Sequence, residues 1–158
     1  MDNTTAPLPH PEPHAFPASF LDNLGFVVSK VGERINHRIE GVIAPHGLSV
    51  RQYGLLLLLQ AQGPQAQIVL SQRVGLDRTS VMRTVDLLEA RGLVRRDPDP
   101  SDRRKHSVAL TDAGGELLSR TLPEVRQAER NVVAELSEQE QRQLLSLLKR
   151  LLGIGERT

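Results

Sequence analysis

Residues 68–92 read IVLSQRVGLDRTSVMRTVDLLEARG, and this stretch decides the fold. It divides into a short helix from about Ile68 to Val74, the turn Gly75-Leu76-Asp77, and a longer helix to Arg91. Gly92 stands where a residue with positive φ stops a helix. On the longer helix Val81, Val85 and Leu88 share one face, while Thr79, Ser80, Arg83 and Thr84 lie on another. Two helices joined by a three- to four-residue turn containing glycine form a helix-turn-helix, in which the first helix braces the second. A plain three-helix core with a polar outer face gives the same pattern, so this segment alone leaves both readings open.

Downstream, two short β-type stretches, Leu93 to Arg96 and Ser107 to Leu110, enclose a polar loop containing proline. The whole hairpin, from Arg95-Arg96-Asp97-Pro98 through Asp102-Arg103-Arg104-Lys105, carries cations at its base and its tip. Thr111 is placed to cap a helix running to about Ala134, and Pro123 inside it predicts a kink or a break. Ser137-Glu138-Gln139-Glu140 matches a capping box and opens a final helix through Leu152.

Upstream, apolar residues at 20, 21, 24, 27, 28, 31, 35, 39, 42 and 43 hold helical spacing up to Pro45-His46-Gly47. Ser49 can cap a second helix through Ala61, whose run Leu55 to Leu59 suits a helix buried on most sides, and Gly63-Pro64 ends it. Residues 1–17 hold five of the ten prolines and read as an extended, flexible arm. His10 and His14 within it make a poor metal site without Cys or paired carboxylates.

The expected organisation is therefore an arm (1–17), an N-terminal helix (18–48), a winged helix-turn-helix (49–110) and C-terminal helices (111–158). The class is mainly α with a small β-wing. Leu144, Leu145, Leu147, Leu148, Leu151 and Leu152 give the last helix more apolar surface than one small core needs, which points to a homodimer, although packing within the chain must use part of it.

Composition narrows the function. Zero cysteines exclude a disulfide framework, a thiolate zinc site and a cysteine redox switch, and fit a reducing compartment. With neither an apolar run of membrane-spanning length nor a secretion signal, the expected location is cytoplasmic, beside the nucleoid. The formal net charge is only +1, yet residues 66–110 hold nine Lys/Arg against six Asp/Glu. A local basic face serves phosphate binding better than a chain average, although an ordinary solvated surface has the same composition. No Gly-rich phosphate loop, metal-ligand spacing or nucleophile–base pair is present, so neither an enzyme nor a cofactor is expected.

The candidate DNA readers follow from helix-turn-helix docking, which puts the N-terminal half of the second helix in the major groove. Arg can bond guanine O6 and N7 bidentately, and Thr can touch a thymine methyl or a base acceptor. Arg78, Thr79, Ser80, Arg83 and Thr84 are the candidates on that helix, and Arg95, Arg96, Arg103, Arg104 and Lys105 those on the wing. Arg73, Arg78, Arg95 and Arg96 are expected to neutralise phosphates. The competing reading is a winged-helix protein that uses the wing to bind a protein.

The run from Leu76-Asp77-Arg78-Thr79-Ser80-Val81 through Leu93-Val94-Arg95-Arg96 resembles the MarR family of bacterial regulators. So does the wing that follows, Asp97-Pro98 through Ser101-Asp102-Arg103-Arg104, ending in Leu110-Thr111-Asp112-Ala113-Gly114. The resemblance covers residues 20 to 152 in the order and spacing of elements. It implies a triangular dimer with the first and last two helices intertwined, and a palindromic operator held by a transcriptional regulator, most often a repressor. It also implies that Arg104 enters a minor groove, with Asp77 and Asp102 supporting the wing. A small aromatic or phenolic anion releases many such proteins from DNA, and Arg34, His37, His46, Arg51 and Tyr53 lie near the hinge where one would bind. Each of the five is equally readable as a solvated or ion-paired residue. Two features depart from the family. Ala66-Gln67 stand where a Thr or Ser cap is usual, and no cysteine near the N-terminus supports peroxide sensing.

Overall fold

The computed structural model describes residues 16–75, 77–98 and 106–154. Two N-terminal helices, α1 (Ala18–Leu21) and α2 (Leu24–Ile43), are followed by a 3-10 turn (Ala44–His46) and α3 (Val50–Gln62). Then come β1 (Gln65–Ala66), α4 (Gln67–Val74), α5 (Arg78–Ala90), β2 (Val94–Pro98), β3 (His106–Leu110), α6 (Asp112–Val132) and α7 (Glu138–Leu151). Among the described residues, no single helix is long and apolar enough to cross a membrane.

Local chemistry sets most of these boundaries. The single long helix expected from Phe20 is broken, because Asn23 leaves the helical conformation and its side chain accepts from the Phe26 amide at 3.0 Å. Ser49 and Gln52 form a capping box at α3, and Ser137 and Glu140 another at α7. Helix α4 lacks a side-chain cap at Ala66. Its start is held by the sheet instead, because Gln65 and Ala66 pair with Val108 and Ser107 of β3. That two-residue strand was not foreseen. Pro123 neither ends nor divides α6. The bond it cannot make would go to the Ser119 carbonyl, on an exposed residue where water can replace it.

The sheet has order β1-β3-β2, all antiparallel, with Val94 opposite Leu110 and Arg96 opposite Val108. Leu55, Leu56, Leu59, Leu70, Val81, Val85, Leu88, Val94 and Val108 close over one another and are at most 2% exposed. Ile39, Ile43, Leu117, Leu118 and Val125 extend this core along α2 and α6. Gly114 shows how tightly α6 enters it: a Cβ there would lie 2.2 Å from the Leu93 carbonyl oxygen and 2.8 Å from Leu110 Cδ1. Only glycine fits. Thr111 fixes the same junction, donating to the Gly92 carbonyl at 2.7 Å and accepting from the Gly114 amide at 3.1 Å.

The outer helices contrast with that core. No residue of α7 is buried, and Leu151 and Leu152 are 73% and 74% exposed. Phe20, Leu21, Leu24, Val28 and Val31 are exposed at the other end of the chain.

Candidate nucleic-acid interface

Asp77 opens the second helix of the motif. Its side chain accepts from the Ser80 amide at 2.9 Å and from the Ser80 hydroxyl at 2.5 Å. These bonds favour the charged carboxylate and hold its pKa below the usual value, the Ser80 hydroxyl contributing most. The result is a firm, anionic N-cap at the end of α5 that a groove would receive. Val81, Val85 and Leu88 lock the inner face into the core.

Of the candidate readers, Arg78, Thr79 and Arg83 are exposed on the outer face. Thr84 is not among them. It is buried, and its hydroxyl donates to the Ser80 carbonyl at 2.8 Å, so it belongs to the packed face. Ser80 is half-buried and committed to the cap. Met82 was overlooked: it is 45% exposed between Arg78 and Arg83, and its position one residue after buried Val81 was the available signal. Arg73 is exposed in the last turn of α4.

The base of the wing corrects the sequence reading more sharply. Arg96 points at α5 and not at solvent. Its guanidinium pairs with Glu89 and, at 2.5 Å, with Asp86, while the Arg96 amide donates to Glu89 at 3.0 Å. Burial alone would lower its pKa, but Asp86 and Glu89 outweigh this and raise it. Arg96 therefore docks β2 onto α5 and is not a free phosphate ligand. Arg95, on the other face of the strand, pairs with Asp97 at 3.0 Å and donates to the Leu110 carbonyl at 3.3 Å. Both partners are largely solvated, so this pairing is weak and can open. Asp102, Arg103, Arg104 and Lys105 lie outside the described residues. Both carboxylate oxygens of Asp77 bond within its own helix turn.

The five candidate ligand contacts are scattered. Arg34, His46 and Arg51 are exposed and His37 is half-buried. Tyr53 is a core residue, 2% exposed, and its hydroxyl has no hydrogen-bond partner among the described residues. Burial raises its pKa, with the neighbouring Thr121 hydroxyl acting in the opposite sense. Thr121 itself donates to the Leu117 carbonyl at 2.9 Å. A shallow groove at the start of α6, lined by Leu110, Thr111, Glu116 and Arg120, involves none of the five.

A braced helix with an outward basic face, followed by a β-hairpin pinned to it, defines a winged helix-turn-helix of the DNA-binding kind. The MarR family model matches residues 46–105. The transcriptional regulator PecS of Dickeya dadantii is 32% identical over 127 residues, covering 78% of this chain and 76% of the relative. The structure of CouR from Rhodococcus jostii RHA1 bound to p-coumaroyl-CoA matches with TM-score 0.74 and 32% identity, covering 84% of this chain and 93% of that one. The repressor CouR bound to a 23-mer DNA duplex matches with TM-score 0.77 and 31% identity, covering 87% and 98%. BpsR of Bordetella bronchiseptica, whose DNA binding is regulated by 6-hydroxynicotinic acid, matches with TM-score 0.77 and 25% identity, covering 86% and 97%. The chain belongs to the MarR family of transcriptional regulators.

Proposed function

We propose that the protein is a homodimeric repressor that grips an inverted-repeat operator with two copies of α5 and leaves it when a small aromatic anion binds. The observation that carries this reading is the pairing of a closed central core with an unburied α7. The centre presents Arg78, Thr79 and Arg83 from a rigid helix, while the ends expose an apolar surface that a second copy would cover. In this reading Arg83 reaches base edges, Arg73, Arg78 and Arg95 meet phosphates, and Arg103, Arg104 and Lys105 carry the wing to a minor groove. Asp77 and Asp102 support that wing. The 1–17 arm, the 18–48 and 111–158 dimer regions and the 49–110 reading head complete the plan.

Ligand release draws support from CouR and BpsR, whose structures concern p-coumaroyl-CoA and 6-hydroxynicotinic acid. Within this chain the buried Tyr53 hydroxyl is an unspent donor beside α6, and a carboxylate or phenolate would satisfy it. Arg34, His37, His46 and Arg51 are cations or polar groups on the α2–α3 side.

The test is selection of bound sequences from random duplexes. The expected product is a dyad with half-sites about one helical turn apart, ~10 bp centre to centre. Enriched sequences without dyad symmetry would exclude the two-helix grip.

A further inference from the structure

Helix α5 ends at Ala90, and the next residue turns its side chain away from the reading face. The Arg91 guanidinium donates through one terminal nitrogen to the His46 carbonyl at 2.6 Å and through the other to the Gly47 carbonyl at 2.5 Å. These partners lie 45 and 44 residues back in the chain, at the elbow where α2 passes through the 3-10 turn into α3. Gly47 has φ +67°, and a Cβ built there would sit 3.5 Å from both terminal nitrogens, so the elbow's backbone is drawn close against the guanidinium.

The chemistry is that of a helix end capped from outside. A helix C-terminus carries partial negative charge and carbonyls without intrahelical donors, and a cation placed there is stabilised. Two adjacent carbonyls also need two donors in one plane, which arginine's fork supplies and a lysine ammonium does not. The bond joins an element that holds readers to one that holds the exposed residues Leu24, Val28 and Val31. Arg91 itself is far from the groove, since thirteen residues of α5 at about 1.5 Å each separate it from the Asp77 end by roughly 20 Å.

We infer that Arg91 is a positioning residue that fixes α5 to the α2–α3 elbow and so sets the spacing at which the two copies read their half-sites. This rests on the dimeric reading above, in which the α2 region faces the second copy. A loosened latch would leave each α5 able to swing, and the protein would accept half-sites that are too near or too far.

The experiment uses the full-length protein and the best duplex recovered by selection, together with versions carrying one base pair more or fewer between half-sites. One base pair shifts the half-sites by about 3.4 Å and roughly 34°. Wild type should lose about tenfold or more in affinity at either altered spacing, comparable to one mismatched base pair. Arg91→Met keeps the stem and removes both donors. It should melt cooperatively, retain its oligomeric size and bind the three spacings within about threefold of one another, with Arg91→Lys intermediate. If Arg91→Met does not fold, Arg91→Lys decides, and a flatter spacing profile for it supports the latch. Wild-type discrimination retained by the folded variant overturns the role given to Arg91. A wild type indifferent to spacing overturns instead the dimeric reading on which it rests.

Discussion

The centre and the ends of this chain obey different physics. From α3 to β3 a core closes within the chain, down to Val81, Val85, Leu88 and Val108 at 0% exposed, although Ile68, Met82 and Leu87 stay on the surface. In α7 no apolar residue is fully buried: Leu144 and Leu148 are half-buried, and Leu145, Leu147, Leu151 and the next residue, Leu152, are all at least 46% exposed. Burying such a side chain stabilises by ~1.5–3 kcal/mol, so leaving these four open at the end of the chain is a large standing cost. The lesson is a division of packing: the centre closes its core within one chain, while the ends leave open the apolar surface that the proposed second copy would cover.

The sharpest way to break that comparison is to remove α7. Deleting residues from Ser137 onward should produce aggregation or loss of cooperative melting, with light scattering showing the full-length protein at about twice its 17.5 kDa chain mass. A full-length protein that is monodisperse at the mass of one chain would instead sink the dimeric reading.

Next in size are the contacts to DNA. Arg83→Ala should cost ~1–3 kcal/mol on the best site and relax preference at one position per half-site. Arg104→Ala should weaken many sequences alike, lower the salt slope and blur only A·T-rich flanks, as a minor-groove contact does. Binding measured across operator variants at two salt concentrations separates the two. Thr84→Ser offers a sharper point. Because Thr84 faces inward, this substitution should leave base preference unchanged.

Gly114→Ala tests the central core itself. Helix propensity alone would favour alanine by roughly 0.5–1 kcal/mol, but overpacking against the Leu93 carbonyl should reverse the sign and lower stability by ~1–3 kcal/mol. Denaturant melts of the two proteins give the answer. A stabilised variant would mean that α6 does not enter the core so closely.

The smallest effect expected is in acid. Asp77 and Glu140 both have pKa values lowered by hydrogen bonds to their capping partners. A lowered folded-state pKa gives stability that is present above the unfolded value, near 4, and is lost as pH falls through the folded one. Stability should therefore decline below about pH 4, and Asp77→Asn, which can still cap, should flatten part of that decline. An unchanged pH profile would leave the Asp77 carboxylate without a special role at the helix start.

How legible all this was depended on the range of the forces involved. The order of elements and the caps at Ser49, Thr111 and Ser137 are local, and they are written in adjacent residues. The break at Asn23 was equally local, but continuous apolar spacing masked it. Strand β1 was invisible because two residues carry no periodicity, and only β3 makes them a strand. Arg96 and Arg91 were misjudged or unnoticed for a related reason. Their partners, Glu89 and Asp86 for one and the elbow carbonyls for the other, become neighbours only after folding. Thr84 is a narrower error of helical phase. Its position three residues after Val81 turns it toward the core, and its hydroxyl avoids a penalty by bonding the Ser80 carbonyl.

The central claim is that α5 and its wing bind DNA by sequence. It is tested most directly by titrating the best selected duplex and a scrambled one over a range of salt. The expected result is a specific affinity at least ~10³-fold above the non-specific one. Log affinity for both duplexes should fall steeply with log salt as phosphate counterions are released. Equal affinity for the two duplexes with little dependence on salt would contradict the claim, and would turn attention to a protein partner for the wing.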